Sequence, residues 1–274
     1  MDSYFFIPAD RLHKIENIRQ LNVDQIIIDL EDAIKSSERT TSLQALKDDS
    51  IDRSLYIRVP VYSIEGGFDL EMYREFKMMG FKNFIIPKLE NTTDFEKLAV
   101  EISPREKIIL LIETPLFLIE LKDILVKYHH LISGLGLGSH DLMNELGAAH
   151  TLYNLEFYRN LVLLYAKAYK LTAFDIASME LKNAEELKEE ILNGFEKGFE
   201  AKFYIHPWQI EVKDGIDFYN EHDLGWATKI FEEYKKVGNE EEFNPIVVDG
   251  EIIEKPHLSK VFTILKYFKK HESK

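Results

Sequence analysis

The stretch Ile108-Ile109-Leu110-Leu111-Ile112, which runs directly into Glu113, gives the clearest indication of the fold. Successive side chains of a strand point to opposite faces, so an unbroken apolar run predicts a strand that is covered on both faces. Ile26-Ile27-Ile28 repeats this pattern nearer the N-terminus. Strands of this kind are typical of parallel sheets with helices packed against them.

Similar short apolar runs recur along the chain, and segments with helical periodicity lie between them. Their number is the one that a (β/α)₈ TIM barrel requires, and we predict this α/β fold for residues 1–237. A doubly wound open sheet is the alternative, but the even spacing and the absence of a Gly-x-Gly-x-x-Gly turn favour a closed barrel. The predicted strands are Tyr4–Pro8, Gln25–Leu30, Ser54–Val59, Asn83–Pro87, Ile108–Ile112, Leu131–Leu137, Thr172–Ala177 and Lys202–Ile205.

The composition changes at Gly238, where an acidic break is followed by a different pattern. Residues 247–253 predict a hairpin around Asp249-Gly250, and Leu258–Phe268 predicts a helix. We therefore expect a C-terminal hairpin–helix lid over residues 238–274. A segment that only packs on the barrel is the alternative.

Charge and composition exclude several classes of function. Lys and Arg number 34 against 48 Asp and Glu, which gives a net charge of −14 and a pI near 5.2. Such a field repels a nucleic-acid backbone, so no nucleic-acid partner is expected. The absence of cysteine excludes disulfides, thiolate metal sites and cysteine nucleophiles. No apolar run approaches the roughly 20 residues of a membrane span, and we expect a cytoplasmic protein without a membrane partner.

Polar residues follow nearly every predicted strand, where the active sites of barrel enzymes lie. Glu113 and Asp141 close consecutive strands and are therefore expected to be neighbours. Two carboxylates at one point repel each other unless a cation or a proton lies between them, and oxygen ligands suit Mg²⁺. A helix cap or a local salt bridge is the alternative. The strand-end groups are Asp10-Arg11, Asp29 to Asp32, Arg58, Lys88, Glu90, Glu113, Ser139 to Asp141, Asp175 and His206.

Two basic residues and a glycine series have more than one interpretation. Arg58 is suited to binding a substrate carboxylate, although pairing with Asp29 or Glu31 is the alternative. Lys88 is a candidate for the same task, for a Schiff base with the substrate or for an ion pair. Gly134, Gly136 and Gly138 make one face of a strand small, which allows either a close approach by a ligand or tight packing inside the barrel.

The chain resembles the citrate lyase β-subunit/HpcH-HpaI aldolase family, whose members include malyl-CoA and citramalyl-CoA lyases. The resemblance extends from Tyr4 to about Val261 and rests on short motifs in a fixed order. These are Phe5-Phe6-Ile7-Pro8-Ala9-Asp10-Arg11, Asp29-Leu30-Glu31-Asp32-Ala33, Ile57-Arg58-Val59, Ile86-Pro87-Lys88, Leu111-Ile112-Glu113-Thr114, Gly136-Leu137-Gly138-Ser139-His140-Asp141-Leu142, Ile205-His206-Pro207-Trp208-Gln209-Ile210 and Gly250-Glu251-Ile252-Ile253-Glu254-Lys255-Pro256.

The resemblance implies a role for most of the strand-end residues. Glu113 and Asp141 match two Mg²⁺ ligands, and Arg58 matches the arginine that holds the keto-acid end of the substrate. Glu254 takes the place of a catalytic aspartate on the lid that reaches a neighbouring subunit's barrel, so a homo-oligomer, a trimer or hexamer, is expected. The other matched positions are Arg11 on the coenzyme A side, with Lys35 and Arg39 nearby, and Glu31 and Asp32 around the metal-bound water. Lys88, Gly138 and Ser139 are predicted as further substrate-binding residues.

The predicted function is Mg²⁺-dependent Claisen or aldol cleavage of a 3-hydroxyacyl thioester of coenzyme A or an acyl carrier protein. The sequence departs from the family pattern at Ala9, Pro60, Ser139-His140 and Glu254, so the preferred substrate is expected to differ. One alternative is a class II aldolase that acts on a free 2-keto acid without coenzyme A. The other is a barrel that has lost catalysis and serves as a ligand-binding subunit.

Overall fold

The structure, a computed structural model, describes residues 1–31, 41, 43–48, 51–63 and 65–271 and contains the predicted closed barrel. Its eight strands are all parallel, each paired with the next along the chain, and the pairing of the first with the eighth closes the barrel. The strands are β1 (Asp2–Pro8), β2 (Gln25–Asp29), β3 (Tyr56–Arg58), β4 (Asn83–Ile86), β5 (Lys107–Ile112), β6 (Gly134–Leu137), β7 (Thr172–Asp175) and β8 (Ala201–Tyr204).

Helices follow the strands, and their ends carry the expected capping groups. Asn91, Thr114 and Asn183 each accept a hydrogen bond from a backbone N–H in the first turn of the helix that follows. The barrel helices are α1 (Ile15–Arg19), α2 (Glu71–Met78), α3 (Thr92–Ala99), α4 (Pro115–Tyr128), α5 (Ser139–Glu145), α6 (Leu152–Ala168), α7 (Ala184–Lys197) and α8 (Pro207–Asp214), with 3₁₀ turns at Ala9–Lys14 and His129–Leu131.

Aromatic side chains fill the barrel interior beside small residues on β6. A β-carbon at Gly134 would come within 2.6 Å of the Phe174 ring, and one at Gly136 would come within 2.9 Å of Phe203. These two rings stack at 5.0 Å between centroids. Tight packing therefore accounts for Gly134 and Gly136, because a methyl group at either position would displace an interior ring.

Residues after Gly215 form a second compact unit, from Ile216 to Lys274. It contains α9 (Glu221–Val237), the antiparallel strands β9 (Ile246–Val248) and β10 (Glu251–Ile253), and α10 (Lys255–His271). Asp249 and Gly250 have positive φ angles of 50° and 89°, as a tight hairpin turn requires. The compact units divide before α9, whereas the composition places the boundary after it, at residue 238. The lid role of residues 238–274 stays a prediction.

The second unit has an apolar core of its own. Ala227 and Ile230 of α9 pack with Val248, Ile253 and the buried face of α10. Within the residues that the structure describes, no helix has the length and apolar character needed to cross a membrane.

Candidate active site at the carboxyl ends of the strands

A cavity of about 360 Å³ lies at the carboxyl ends of the barrel strands. This is the end at which barrel enzymes carry out their chemistry. Its lining contains both polar and apolar side chains, with Phe6, Leu137, Met179 and Phe203 among the apolar residues. The polar lining consists of Asp29, Arg58, Glu113, Ser139, His140 and Asp141.

Arg58 is held at the end of β3 by two carboxylates. Its Nε and Nη2 donate to the two oxygens of Asp29 at 2.7 and 2.6 Å, and Nη1 lies 3.3 Å from Glu31 Oε2. The guanidinium also lies over the Phe6 ring, 5.0 Å from its centroid. Burial by itself would lower the pKa of Arg58, but Asp29 and Glu31 outweigh it and raise that pKa. Arg58 is therefore a rigid, permanent cation that lines the cavity.

Glu113 follows β5 and is almost fully buried, with 2% of its surface exposed. Its Oε2 accepts a hydrogen bond of 2.6 Å from the backbone N–H of Lys88. Gly138 packs so closely against the carboxyl that a β-carbon there would overlap Glu113 Cγ and Oε1. Burial, together with the charges of Glu31 and Asp141, raises the pKa of Glu113 to about 8. The described surroundings of Glu113 thus contain too little positive charge to stabilise its ionised carboxylate.

The side chain of Lys88 pairs with two of the acidic residues of the site. Its Nζ lies 2.6 Å from Glu31 Oε1 and 3.8 Å from Asp141 Oδ1. Its backbone adopts the left-handed region at φ 53°, which is uncommon for lysine. In the structure Lys88 is therefore an ion-pair partner of the acidic residues, one of the roles considered from the sequence.

Glu113 and Asp141 lie close together, as their positions on consecutive strands predict. Both line the main cavity and also a second one of about 290 Å³ that includes Tyr62, Lys88 and Asn144. Among the described residues, no group of three or more His, Asp or Glu side chains is arranged to hold a metal ion. A cation at Glu113 and Asp141 would complete its ligand shell with water or substrate oxygens, which is common for Mg²⁺.

The charges in the described part of the site do not balance. Asp29, Glu31, Glu113 and Asp141 are four carboxylates, and they face the two cations Arg58 and Lys88. A divalent cation would neutralise the remaining negative charge, and without one a proton on Glu113 does so in part. The donor set and the raised pKa of Glu113 therefore fit a hard divalent ion.

Ser139 and His150 form a contact that the sequence does not reveal. Ser139 Oγ lies 2.9 Å from His150 Nε2, and the His150 ring stacks on His140 with centroids 3.7 Å apart. His150 lies between α5 and α6, outside every motif, and nothing in the chain marks it as a partner of Ser139.

The remaining predicted site residues belong to other parts of the chain. Arg11 is an exposed residue 4.0 Å from Asp10 and does not belong to the described lining of the main cavity. Glu254 lies in the second unit, exposed, between β10 and α10, where its backbone N–H donates to His257. The predicted positions Asp32, Lys35 and Arg39 lie outside the described residues.

Two strand-end residues have structural roles instead. Asp175 was expected at the mouth of the barrel, but it lies buried against the helices and pairs with Arg159 at 2.8 Å. Successive side chains of a strand point to opposite faces. Phe174 occupies the interior of the barrel, so the next residue, Asp175, points outward. His206 caps α8 by accepting from the backbone N–H of Trp208.

An eight-stranded parallel barrel that collects ionisable side chains at the carboxyl ends of its strands has the architecture of barrel enzymes. A sequence model of the HpcH/HpaI aldolase/citrate lyase family matches residues 2–207. The chain belongs to this family, as its motifs indicate.

Individual relatives support the same assignment. The chain is 30% identical to the (3S)-malyl-CoA thioesterase of Cereibacter sphaeroides over 93% of its own length and 90% of that enzyme. The crystal structure of CitE from Mycobacterium tuberculosis with magnesium, acetoacetate and coenzyme A is similar, with a TM-score of 0.80, 23% identity and 97% of each chain covered. A citrate lyase beta subunit of the same organism, complexed with oxaloacetate and magnesium, has a TM-score of 0.66 and 25% identity, covering 77% of this chain and 93% of that one.

Proposed function

We propose that this protein is a magnesium-dependent carbon–carbon lyase that cleaves a 3-hydroxyacyl thioester, such as citryl-, malyl- or citramalyl-CoA. The products would be a 2-keto acid and the thioester of a shorter acid. The observation that carries the proposal is the excess of carboxylates over cations among the described residues around Glu113, which lines the cavity together with Asp29, Arg58 and Asp141. The structure of the Mycobacterium tuberculosis citrate lyase beta subunit, which contains magnesium and oxaloacetate, supports the choice of ion and of product.

Each polar residue of the cavity has a task in this reaction. Glu113 and Asp141 would hold Mg²⁺, which when bound polarises the oxygen atoms of the keto-acid fragment. Arg58, fixed by Asp29, would bind the carboxylate of that fragment and stabilise negative charge on its oxygen. Glu31 would order water near the ion, and Lys88 would balance charge. Gly138 and Ser139 would form the floor under the substrate.

Glu254 is the proposed acid–base group, on the strength of the motif resemblance. In cleavage it would donate a proton to the enolate carbon, and in condensation it would remove that proton from the acetyl-type thioester. Arg11 is the proposed contact on the coenzyme A side. We also propose a cytoplasmic homo-oligomer, and coenzyme A rather than an acyl carrier protein, since the names of the relatives specify coenzyme A.

The test is a screen of citryl-, malyl-, citramalyl- and β-methylmalyl-CoA, with Mg²⁺ and with EDTA, that measures keto acid as 2,4-dinitrophenylhydrazone. We expect Mg²⁺-dependent keto acid from at least one thioester, and its loss in Glu113→Gln and Asp141→Asn. Glu211→Gln, which removes an exposed carboxylate on α8, is the matched control and should retain full activity. Keto acid formed equally with EDTA, or by the Glu113→Gln/Asp141→Asn double variant, would contradict the proposal.

Hydrolysis of the thioester is the second candidate, because the Cereibacter sphaeroides relative is named a thioesterase. Cleavage yields a keto acid and leaves the thioester intact, whereas hydrolysis yields a hydroxy acid and free coenzyme A thiol. The chain has no cysteine, so released thiol can be titrated without background from the protein. Thiol release without keto acid would identify a hydrolase. Activity on a free keto acid would identify an aldolase, and no Mg²⁺ or oxaloacetate binding would identify an inactive barrel.

A further inference from the structure

Ser139 connects the cavity to a pair of histidines at the protein surface. Ser139 is the first residue of α5, is 4% exposed and lines the main cavity. Its hydroxyl lies 2.9 Å from His150 Nε2. The His150 ring is held flat against His140 at an interplanar angle of 6°, and both histidines are exposed to solvent.

The protonation state of His150 decides which groups take part in its hydrogen bond with Ser139. Burial on its inner side and the adjacent His140 lower the pKa of His150, so the ring is neutral near pH 7. A neutral imidazole has one donor and one acceptor nitrogen, and in the tautomer that carries its proton on Nδ1, Nε2 accepts from the Ser139 hydroxyl. A lone pair of the Ser139 oxygen is then available to the cavity.

Cleavage of a 3-hydroxyacyl thioester needs two proton-transfer groups. One donates a proton to the enolate carbon, the task proposed for Glu254. The other removes the proton of the substrate's 3-hydroxyl. The carboxylates of the cavity are engaged otherwise, since Asp29 and Glu31 pair with Arg58 and the pair Glu113 and Asp141 is proposed to hold the cation. The acceptor of the hydroxyl proton is therefore unassigned.

We infer that Ser139 accepts a hydrogen bond from the 3-hydroxyl of the substrate and relays its proton to His150, an inference that rests on the proposed lyase function. As the substrate O–H proton moves to Ser139 Oγ, the Ser139 proton moves to Nε2. The O–H electrons form the new carbonyl bond, and the electrons of the broken carbon–carbon bond form the thioester enolate. That enolate takes a proton at carbon from Glu254, and no oxidant or reductant is needed.

The exposure of the two histidines gives the proton a route out of the cavity. Ser139 is buried, whereas His150 is exposed, so a proton on His150 exchanges directly with water. The stacked His140 ring keeps the imidazole in the plane in which Nε2 faces Ser139. Ser139 is thus the catalytic residue that touches substrate, and His150 is a positioning residue that acts through it.

Three variants separate orientation from proton transfer. Ser139→Ala removes the hydroxyl, and His150→Ala removes the group that orients it. His150→Gln keeps an oxygen near the position of Nε2 that can accept from Ser139 but cannot take up a proton. The matched control is Ser133→Ala, just before β6, because the Ser133 hydroxyl bonds only a strand carbonyl in the described structure, Ile108 O at 2.8 Å.

The first measurement is calorimetric titration of malate and succinate in the presence of Mg²⁺, since the two acids differ by one hydroxyl. We expect the ratio of malate to succinate affinity to fall about tenfold in Ser139→Ala and His150→Ala. The ratio should be unchanged in His150→Gln and Ser133→Ala. Because this test uses no turnover, it reports on the contact between Ser139 and the hydroxyl even if the wild-type protein cleaves no thioester. That result would remove the proposed function and the proton relay but not this contact.

The second measurement is the rate of keto-acid release from the thioester that the wild-type protein cleaves. We expect kcat to fall by about 10²-fold or more in all three variants with little change in KM, and the Ser139→Ala/His150→Ala double variant to be no slower than Ser139→Ala. Exchange of the acetyl-CoA methyl hydrogens in D₂O should persist, because it needs Glu254 and not Ser139. An unchanged malate-to-succinate ratio in Ser139→Ala, or wild-type kcat in His150→Gln, would overturn the inference.

Discussion

Gly138 shows how strongly the Glu113 carboxyl depends on the absence of a side chain next to it. The backbone of Gly138 has φ −81°, which alanine adopts without strain, so a substitution acts only through its added methyl group. That methyl group would overlap Cγ and Oε1 of Glu113. We expect Gly138→Ala to fold, with a loss of about 1–3 kcal/mol in the free energy of unfolding. Because the methyl group displaces the Glu113 carboxylate, the variant should bind Mg²⁺ at least about tenfold more weakly.

The matched control is Gly225→Ala on α9, where an added β-carbon meets no atom within 4 Å. Alanine at this helical position should leave Mg²⁺ affinity unchanged and raise stability slightly. Calorimetric titration with MgCl₂ checks both variants. Equal affinity in Gly138→Ala and the wild-type protein would show that Glu113 does not hold the ion.

Several residues of the site can be predicted from the sequence because they follow predicted strands directly. Glu113, Asp141 and Arg58 lie at the mouth of the barrel for this reason, and a strand's end is fixed by its apolar run. His150 could not be predicted in the same way, since its contact with Ser139 depends on how the chain between α5 and α6 folds back. The pairing of Lys88 with Glu31 joins two loops that no local pattern relates.

At the scale of elements, a buried ion network fixes two helices to the barrel. Arg159 of α6 pairs with Asp175 of β7 through bonds of 2.9 and 2.8 Å, and both side chains are 0% exposed. Arg159 also donates to Asn193 of α7 at 2.9 Å. Lys202 of β8 bonds Glu190 of α7 at 2.7 Å. The network therefore ties α6 and α7 to neighbouring strands.

Arg159→Met should lower the free energy of unfolding by about 3–5 kcal/mol. It leaves the Asp175 carboxylate buried, with Lys202, 3.7 Å away, as the one cation paired with it in the described part of the chain. Urea unfolding followed by circular dichroism measures the change. Lys188→Met on α7, which breaks an exposed pair with Glu185, should cost less than about 1 kcal/mol. A loss in Arg159→Met no larger than in Lys188→Met would mean that the buried pair does not hold these elements together.

Asp175 also explains why the sequence predicts strands better than it predicts which way their side chains point. Both faces of a barrel strand are buried, so an apolar run does not distinguish inside from outside. On β3, Tyr56 belongs to the interior core and Arg58, two residues on, lines the cavity. On β7, Phe174 takes the interior position, which turns Asp175 toward the helices. A shift of one residue thus separates a site residue from a structural one.

At the scale of the whole molecule, Glu113 couples the stability of the protein to pH and to Mg²⁺. Its pKa is raised from 4.5 to about 8 in the folded protein, so the folded state binds a proton that the unfolded state has released between these values. The free energy of unfolding therefore falls as pH rises from about 5 to 8, and this one group contributes up to about 4 kcal/mol of the change. Mg²⁺ should oppose the loss, since a cation stabilises the ionised carboxylate.

Thermal unfolding of the wild-type protein and of Glu113→Gln, each at pH 5.5 and pH 8 with EDTA or with Mg²⁺, isolates this contribution from the other titrating groups. In EDTA the melting temperature of Glu113→Gln should rise relative to wild type between pH 5.5 and 8, because glutamine stays neutral where the wild-type carboxyl must ionise. Mg²⁺ should raise the wild-type melting temperature more at pH 8 than at pH 5.5, where binding has to displace a proton, and should leave Glu113→Gln nearly unaffected. If the difference in melting temperature between the two proteins in EDTA were the same at both pH values, Glu113 would be ionised in the folded protein from pH 5.5 to pH 8. The negative charge of the site would then be balanced by its own residues, and the case for a divalent cation there would fail.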